Sequence, residues 1–292
     1  MSFIVATDTS SNIPTPEAAA KGIIVIPLSY NFQGHSLECL DTESFRYDQY
    51  YESLRNGTAV TTSQINPQKY IDRLEPVLKE GQDVLFVGMS SGISGSFNSA
   101  VIAAEQLLEA YPDRKIRLVD SLGASLGEGL LTLKAWECMD SGMSLDETAD
   151  LLTELREHIY QVFTVDDLMY LKRGGRLSNA AALLGTLLNI KPVLKGNEIG
   201  KIVAFQKVRG RKGVLNDLAK RYDNLVTDAE NQVVGISHCN CREDADYLAG
   251  LLQKNHPPKE ILIVEHEPVT GSYLGPGALA LYFAGGKDIR TK

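Results

Sequence analysis

Residues 84–100 read VLFVGMSSGISGSFNSA. Val84–Val87 is an apolar run of strand length, and the chain then turns to small residues. Between Gly88 and Ala100 lie five serines and three glycines with no charge among them, more than a plain connector requires. A helix-like stretch follows. A strand that opens into a small polar loop and then a helix is the repeating unit of a parallel α/β sheet. FIVATD (3–8) and IRLVD (116–120) repeat the theme, opening into TSSN and SLGAS. The first half therefore predicts a parallel sheet with helices on both faces.

The punctuation agrees. Asn66 followed by Pro67 reads as an N-cap and first helical residue, and Gly81 as the stop. Pro76 inside that helix is expected to kink or shorten it. Ser144 with Glu147 forms a capping box for SLDETADLLTELREHI, whose Leu145, Ala149, Leu152, Leu155 and Ile159 fall on one helical face. Near Tyr160 the pattern changes. A strand-like start, a basic glycine turn and a long apolar segment give way to KIVAFQKV, QVVGISH and ILIVEH, with the helical CREDADYLAGLLQK between the last two. Two domains follow: an N-terminal α/β domain over 1–160 and a C-terminal mixed α/β domain over 161–292.

The composition bounds the function. At 292 residues, 43% hydrophobic and 23% charged, the chain reads as globular. A net charge of −8 argues against nucleic acid and membrane surfaces as general partners. There is no transmembrane run and the start MSFIVATD does not read as a signal peptide. Four cysteines do not make a disulfide framework at this length, so a cytoplasmic location is expected.

Ligands of open α/β sheets sit outside the carboxyl ends of the strands. Serine hydroxyls and glycine N–H groups there suit an anionic oxygen cluster, either carboxylate or phosphate; a loop that merely caps its helix is the plain alternative. Nucleotide phosphate fits poorly, because no lysine occurs between Lys79 and Lys115 and no strand opens into G-x-G-x-x-G. No cofactor is called for. A rival reading is Gly88-Met89-Ser90-Ser91-Gly92 as a G-x-S-x-G nucleophile elbow, with Ser90 served by His238 or His266 in a serine hydrolase. His238-Cys239-Asn240-Cys241 invites a metal, but no second pair accompanies it, so no metal site is expected. The basic clusters Lys172–Arg176 and Lys207–Lys212 read as solvated turns, or as groups that dock an acidic partner or neutralise a phosphoryl group. LSNAAALLGTLLNI (177–190) reads as a core helix whose small side chains could equally leave room for a slender apolar ligand.

These pieces coincide with a known family. Asp8 and Ser10, Ile26-Pro27-Leu28, Thr62-Ser63-Gln64, Ser90–Gly95 and Asp120-Ser121 match in order. So do Tyr170–Arg176, Ile190-Lys191-Pro192 and Gly275–Ala278. The chain resembles the DegV family, fatty-acid-binding proteins that serve a bacterial fatty-acid kinase. That resemblance implies a two-domain α/β fold with a long-chain fatty acid held between the domains, presented to a separate ATP-dependent kinase and carried off as acyl-phosphate. By it the protein has no catalytic residues of its own. The carboxylate contacts it implies are Thr62 and Ser94, with Ser63 and Gly95 beside them. A third comes from the residue two before Gly-Pro-Gly, usually histidine and here Tyr273, whose phenol can donate one hydrogen bond. Arg209, with Arg176, is implied in work with the kinase or the phosphoryl group. A binding module for another lipid-like carboxylate, without a kinase, is the third class.

Overall fold

The computed structural model describes residues 3–38, 41–178 and 189–292. They form two compact units, one of 1–45 and 60–156, the other of 46–59 and 157–292. The division is therefore not a single break near residue 160. The second unit also takes 157–160 and an excursion out of the first half.

The first unit is built on a four-stranded, all-parallel sheet. Its strands are β1 (Phe3–Asp8), β2 (Ile24–Ile26), β6 (Asp83–Gly88) and β7 (Ile116–Asp120), in the order β2-β1-β6-β7. Val84–Val87 are wholly buried, as a strand covered on both faces requires. A small antiparallel sheet joins β3 (Ser29–Phe32), β4 (His35–Glu38) and β5 (Val60–Ser63) in the order β4-β3-β5.

The helices of this unit are α1 (Thr15–Ala20), α3 (Pro67–Lys79), α4 (Ser96–Ala110), α5 (Leu126–Asp140) and α6 (Leu145–Leu155). Asn66 caps α3 by accepting the Lys69 N–H at 2.9 Å, and the chain turns at Gly81 with φ +82°. Pro76 does not end α3, which runs on to Lys79. The capping box opens α6, Ser144 accepting from the Glu147 N–H at 3.3 Å and Glu147 from the Ser144 N–H at 3.1 Å. That helix stops at Leu155, earlier than its periodicity suggested. A short 3₁₀ turn intervenes, and Ile159 starts a strand.

The second unit holds a six-stranded mixed sheet, β10-β9-β8-β13-β11-β12. Its strands are β8 (Ile159–Thr164), β9 (Ile190–Gly196), β10 (Ile202–Arg209), β11 (Val233–His238), β12 (Glu260–Glu265) and β13 (Leu279–Ala284). Only β11 and β12 run parallel. Helices α7 (Arg211–Leu225) and α8 (Arg242–Asn255) close a core in which Phe283 meets Tyr160 and Tyr222 edge-on, at 5.5 and 5.2 Å. Helix α2 (Tyr47–Arg55) is the excursion from the first half. Tyr50 and Tyr51 donate their phenols to the carbonyls of Pro268 and His266, each at 2.7 Å, and Tyr170 donates to that of Leu54 at 3.0 Å. Gly271 permits the approach, since a Cβ there would stand 2.0 Å from the Tyr51 hydroxyl. The long apolar segment of the sequence reading falls on 179–188, outside the described residues. No helix among the described residues is long and apolar enough to cross a membrane.

Candidate functional site

The Ser/Gly loop leaves β6 at the carboxyl edge of the parallel sheet, and most of its N–H groups are already engaged. Met89 donates to Asp8 at 3.3 Å, Ser90 to the Gly123 carbonyl at 2.7 Å, and Ser91 to Asp120 at 3.3 Å. Gly92 donates to the Ser90 hydroxyl at 3.1 Å, while Ile93 and Ser94 donate to the Ser90 carbonyl at 3.2 and 3.1 Å. Ser96 donates to the Ser94 hydroxyl at 3.2 Å. From Met89 to Ser96, only the Gly95 N–H takes no acceptor among the described residues. The loop is thus no open nest of N–H groups. What its far end offers is one N–H and one half-buried hydroxyl, those of Gly95 and Ser94, while Ser91 adds an exposed hydroxyl.

Sequence reasoning missed Ser96, which is wholly buried. Its hydroxyl accepts the Ile65 N–H at 3.2 Å and meets the Ser94 hydroxyl at 3.0 Å. This ties the loop to the Thr62-Ser63-Gln64-Ile65 segment. Gln64 lies across Gly95, where a Cβ would stand 2.1 Å from its Oε1, so glycine is the residue that admits it. Thr62 is half-buried in β5, paired with Tyr30, and Ser63 is exposed beside it. The structure therefore ties Gln64 and Ile65, which follow Thr62 and Ser63 in the chain, to Gly95 and Ser96. The loop after β7 supports them at some strain. Leu122 and Ser125 both take φ of 54°, unusual for residues with a Cβ. Leu122 is held through its N–H to Asp120 at 3.0 Å, and Ser125 by the Asn12 amide at 2.9 Å.

The elbow reading does not survive this geometry. A nucleophile elbow presents its serine on a strained turn with the hydroxyl exposed. Ser90 is 0% exposed, outside the left-handed region, and its hydroxyl accepts the Gly92 N–H. The candidate bases are committed elsewhere. His266 Nε2 lies 2.7 Å from the Ser237 hydroxyl and Nδ1 3.2 Å from that of Thr270, while His238 Nδ1 accepts the Cys241 N–H at 3.4 Å. Burial, with the nearby Arg242 charge, holds His238 down to about 4, and burial, with His238 beside it, holds His266 down to about 3. Cys241 turns its thiol to the Ala278 carbonyl at 3.3 Å. No group of three His, Cys, Asp or Glu among the described residues could hold a metal ion.

In the second unit, Tyr273 and Arg176 come together. The Arg176 guanidinium sits 4.7 Å from the Tyr273 ring centroid and donates to the Gly174 carbonyl at 2.6 Å. The ring lies on Gly174, where a Cβ would be 2.2 Å from Cδ1. Arg209 ends β10, is exposed, and has no carboxylate partner among the described residues. Its neighbour Arg211 is paired with Asp244 at 2.8 Å.

A parallel-sheet unit with a hydroxyl-lined loop, followed by a mixed-sheet unit, defines a two-domain α/β protein of the DegV type. The family model described as "Uncharacterised protein, DegV family" matches residues 2–285. A DegV domain-containing protein of Clostridium perfringens is 37% identical over 284 residues, covering 97% of each chain. Among solved structures, a fatty-acid-binding DegV family protein from Thermus thermophilus superposes with a TM-score of 0.89 at 31% identity, covering 98% of this chain and 100% of its own. One from Streptococcus agalactiae, also described as fatty acid binding, gives 0.85 at 32% identity, covering 98% and 99%. The chain belongs to the DegV family.

Proposed function

We propose that this protein binds a long-chain fatty acid and presents it to a separate ATP-dependent kinase, carrying fatty acid and acyl-phosphate without catalytic residues of its own. The observation that supports this reading best is the meeting of Gly95 with Gln64 and of Ser96 with Ile65, which sets the Ser94 hydroxyl and the Gly95 N–H beside the segment that follows Thr62 and Ser63. A neutral pair of donors suits one carboxylate and is too little for a polyphosphate. The Ser94 hydroxyl donates to that of Ser96 at 3.0 Å and accepts the Ser96 N–H at 3.2 Å. If Ser96 turns its proton toward Ser94, the Ser94 proton is released to the ligand and the chain of hydrogen bonds polarises along its length. The family relatives described as fatty acid binding supply the ligand class.

Thr62 and Ser63 enter the proposal beside Ser94 and Gly95. Tyr273 enters as a further donor on the resemblance, its ring held by Gly174 and Arg176. Arg209 is assigned to the kinase or the phosphoryl group, which its exposure permits. Organic extraction of freshly purified protein, followed by mass spectrometry, tests the reading. One long-chain fatty acid per chain is expected. An extract holding a nucleotide, or no lipid even after incubation with fatty acid, would overturn it.

A further inference from the structure

Beneath the Ser/Gly loop, in the core of the first unit, lie two carboxyl groups that are each 0% exposed, Asp8 and Glu128. Among the described residues neither has an ion-pair partner. Ser10 joins them, its N–H donating to Asp8 Oδ1 at 2.8 Å and its hydroxyl meeting Glu128 Oε2. Their surroundings differ in one decisive respect. Each Asp8 oxygen accepts an N–H, Oδ1 that of Ser10 and Oδ2 that of Met89, and the Ser10 hydroxyl also lies against the carboxyl. An N–H cannot accept, so a proton on Asp8 could go only to the Ser10 hydroxyl, which already donates to Glu128. Each Glu128 oxygen meets a hydroxyl, Oε2 that of Ser10 and Oε1 that of Thr7 at 2.9 Å, which donate or accept as required, with the Asp8 N–H beside them. Thr132 completes the set, 3.3 Å from the Thr7 hydroxyl.

Two charges in so dry a site without a counter-ion are not sustained together. We propose that Glu128 is a neutral carboxylic acid and Asp8 its ionised partner, and that this one-proton pair positions the Met89–Gly95 loop for its ligand. Asp8 grips the first N–H of the loop, and Glu128 fixes Ser10, which orients Asp8. Burial foremost, and then the Asp8 charge, push the Glu128 carboxyl well up, in keeping with the assignment. Tyr70 is the other titratable group facing the pair, its buried phenol without a hydrogen-bond partner among the described residues and itself pushed up by burial and by the two carboxyls. The positioning role rests on the proposed head-group site; the proton assignment does not.

The test has two arms. Infrared spectroscopy of lipid-free protein at neutral pH is expected to show the carbonyl stretch of a protonated carboxylic acid, lost in Glu128→Gln. No such band, or one that persists in Glu128→Gln, overturns the assignment. In the second arm, hydrogen exchange of the Met89–Ser96 amides and the affinity for a fluorescent fatty acid are read in Asp8→Asn, Glu128→Ala and Glu128→Gln. An amide at Asp8 must turn its NH₂ toward an N–H, so Asp8→Asn is expected to speed loop exchange and weaken binding by about tenfold or more. Glu128→Ala is expected to do likewise, and Glu128→Gln, which keeps the shape and hydrogen bonding of the neutral acid, to restore both. Glu128→Gln as impaired as Glu128→Ala, or loop exchange unchanged in folded Asp8→Asn, overturns the positioning role. Failure of the parent to bind fatty acid while the band and the exchange pattern hold would sink the ligand reading and leave the pair standing.

Discussion

The two units bury titratable groups of opposite kind near the ends of their strands. In the first, burial raises the Asp8 and Glu128 carboxyls. In the second, burial lowers His238 to about 4 and His266 to about 3. Both environments disfavour charge, yet they respond to acid in opposite directions. Where a carboxyl is raised, the folded state holds more protons than the unfolded chain, and acidification adds stability. Where a histidine is lowered, the unfolded chain takes up protons first, below about pH 6.5, and acidification removes stability. The same dry interior thus makes one unit tolerant of mild acid and the other sensitive to it.

The largest effect expected is that contrast itself. Between pH 7 and pH 5 each buried histidine should cost the second unit about 1.4 kcal/mol per pH unit once the pH is well below 6.5. Glu265, half-buried and raised mainly by burial, opposes this from the acid side of the window. The single tryptophan, Trp136, lies on α5 and reports the first unit alone. Denaturant titrations followed by Trp136 fluorescence and by circular dichroism should separate at pH 5, the dichroism falling first. Transitions that shift together would break the comparison.

Ser94→Ala sharpens it from the ligand side. Losing a hydrogen bond to a charged group costs about 1.5–3 kcal/mol, or roughly ten- to a hundred-fold in fatty-acid affinity. Ser90→Ala, which keeps the carbonyl that holds Ile93 and Ser94, should cost less and leave no esterase activity to lose. Equal losses in calorimetric titration would show that the loop acts as a unit and that Ser94 has no special place in it. Ser96→Ala should come next, stranding the buried Ile65 N–H at about 1–3 kcal/mol of stability and lowering affinity through Ser94. Unchanged melting and binding would remove Ser96 from the relay. Arg209→Ala should be the mildest for the molecule, with stability within about 0.5 kcal/mol of the parent and fatty-acid affinity unchanged, while phosphorylation by the partner kinase slows. Loss of binding there would make Arg209 a pocket residue.

Much of this was legible where the signal is local. Asn66-Pro67, Ser144 with Glu147, and the apolar runs at 3–8, 84–87 and 116–120 fix their elements through neighbours a few residues away. Pro76 did not shorten α3, and α6 ended earlier than its periodicity suggested, because a helix passes or yields to such signals according to its packing. The Ser/Gly loop was recognised by composition, but its N–H groups are consumed partly by Ser90 and Ser94 of the loop itself and partly by Asp8, Asp120 and Gly123 at the ends of two other strands. Glu128 was not read at all. A glutamate near the start of a helix looks like a dipole-matched surface residue, and its partners Thr7 and Ser10 lie more than a hundred residues earlier. Ser96 looked like one more small residue in a serine-rich loop.

The excursion of α2 also has a consequence for synthesis on the ribosome. Tyr50 and Tyr51 emerge early, but the carbonyls they bind, those of Pro268 and His266, are made 218 and 215 residues later. The first unit has all its strands once Asp120 has emerged, and it can close around α2 as a long loop before the second unit exists. Until the C-terminal strands arrive, Tyr50, Tyr51 and Leu54, all buried in the finished protein, have nothing to cover them. Long-range closures of this kind are slow, and apolar surface awaiting its partner is what chaperones attend. A nascent chain halted anywhere between residues 160 and 265 should therefore present a folded first unit with one greasy helix hanging from it.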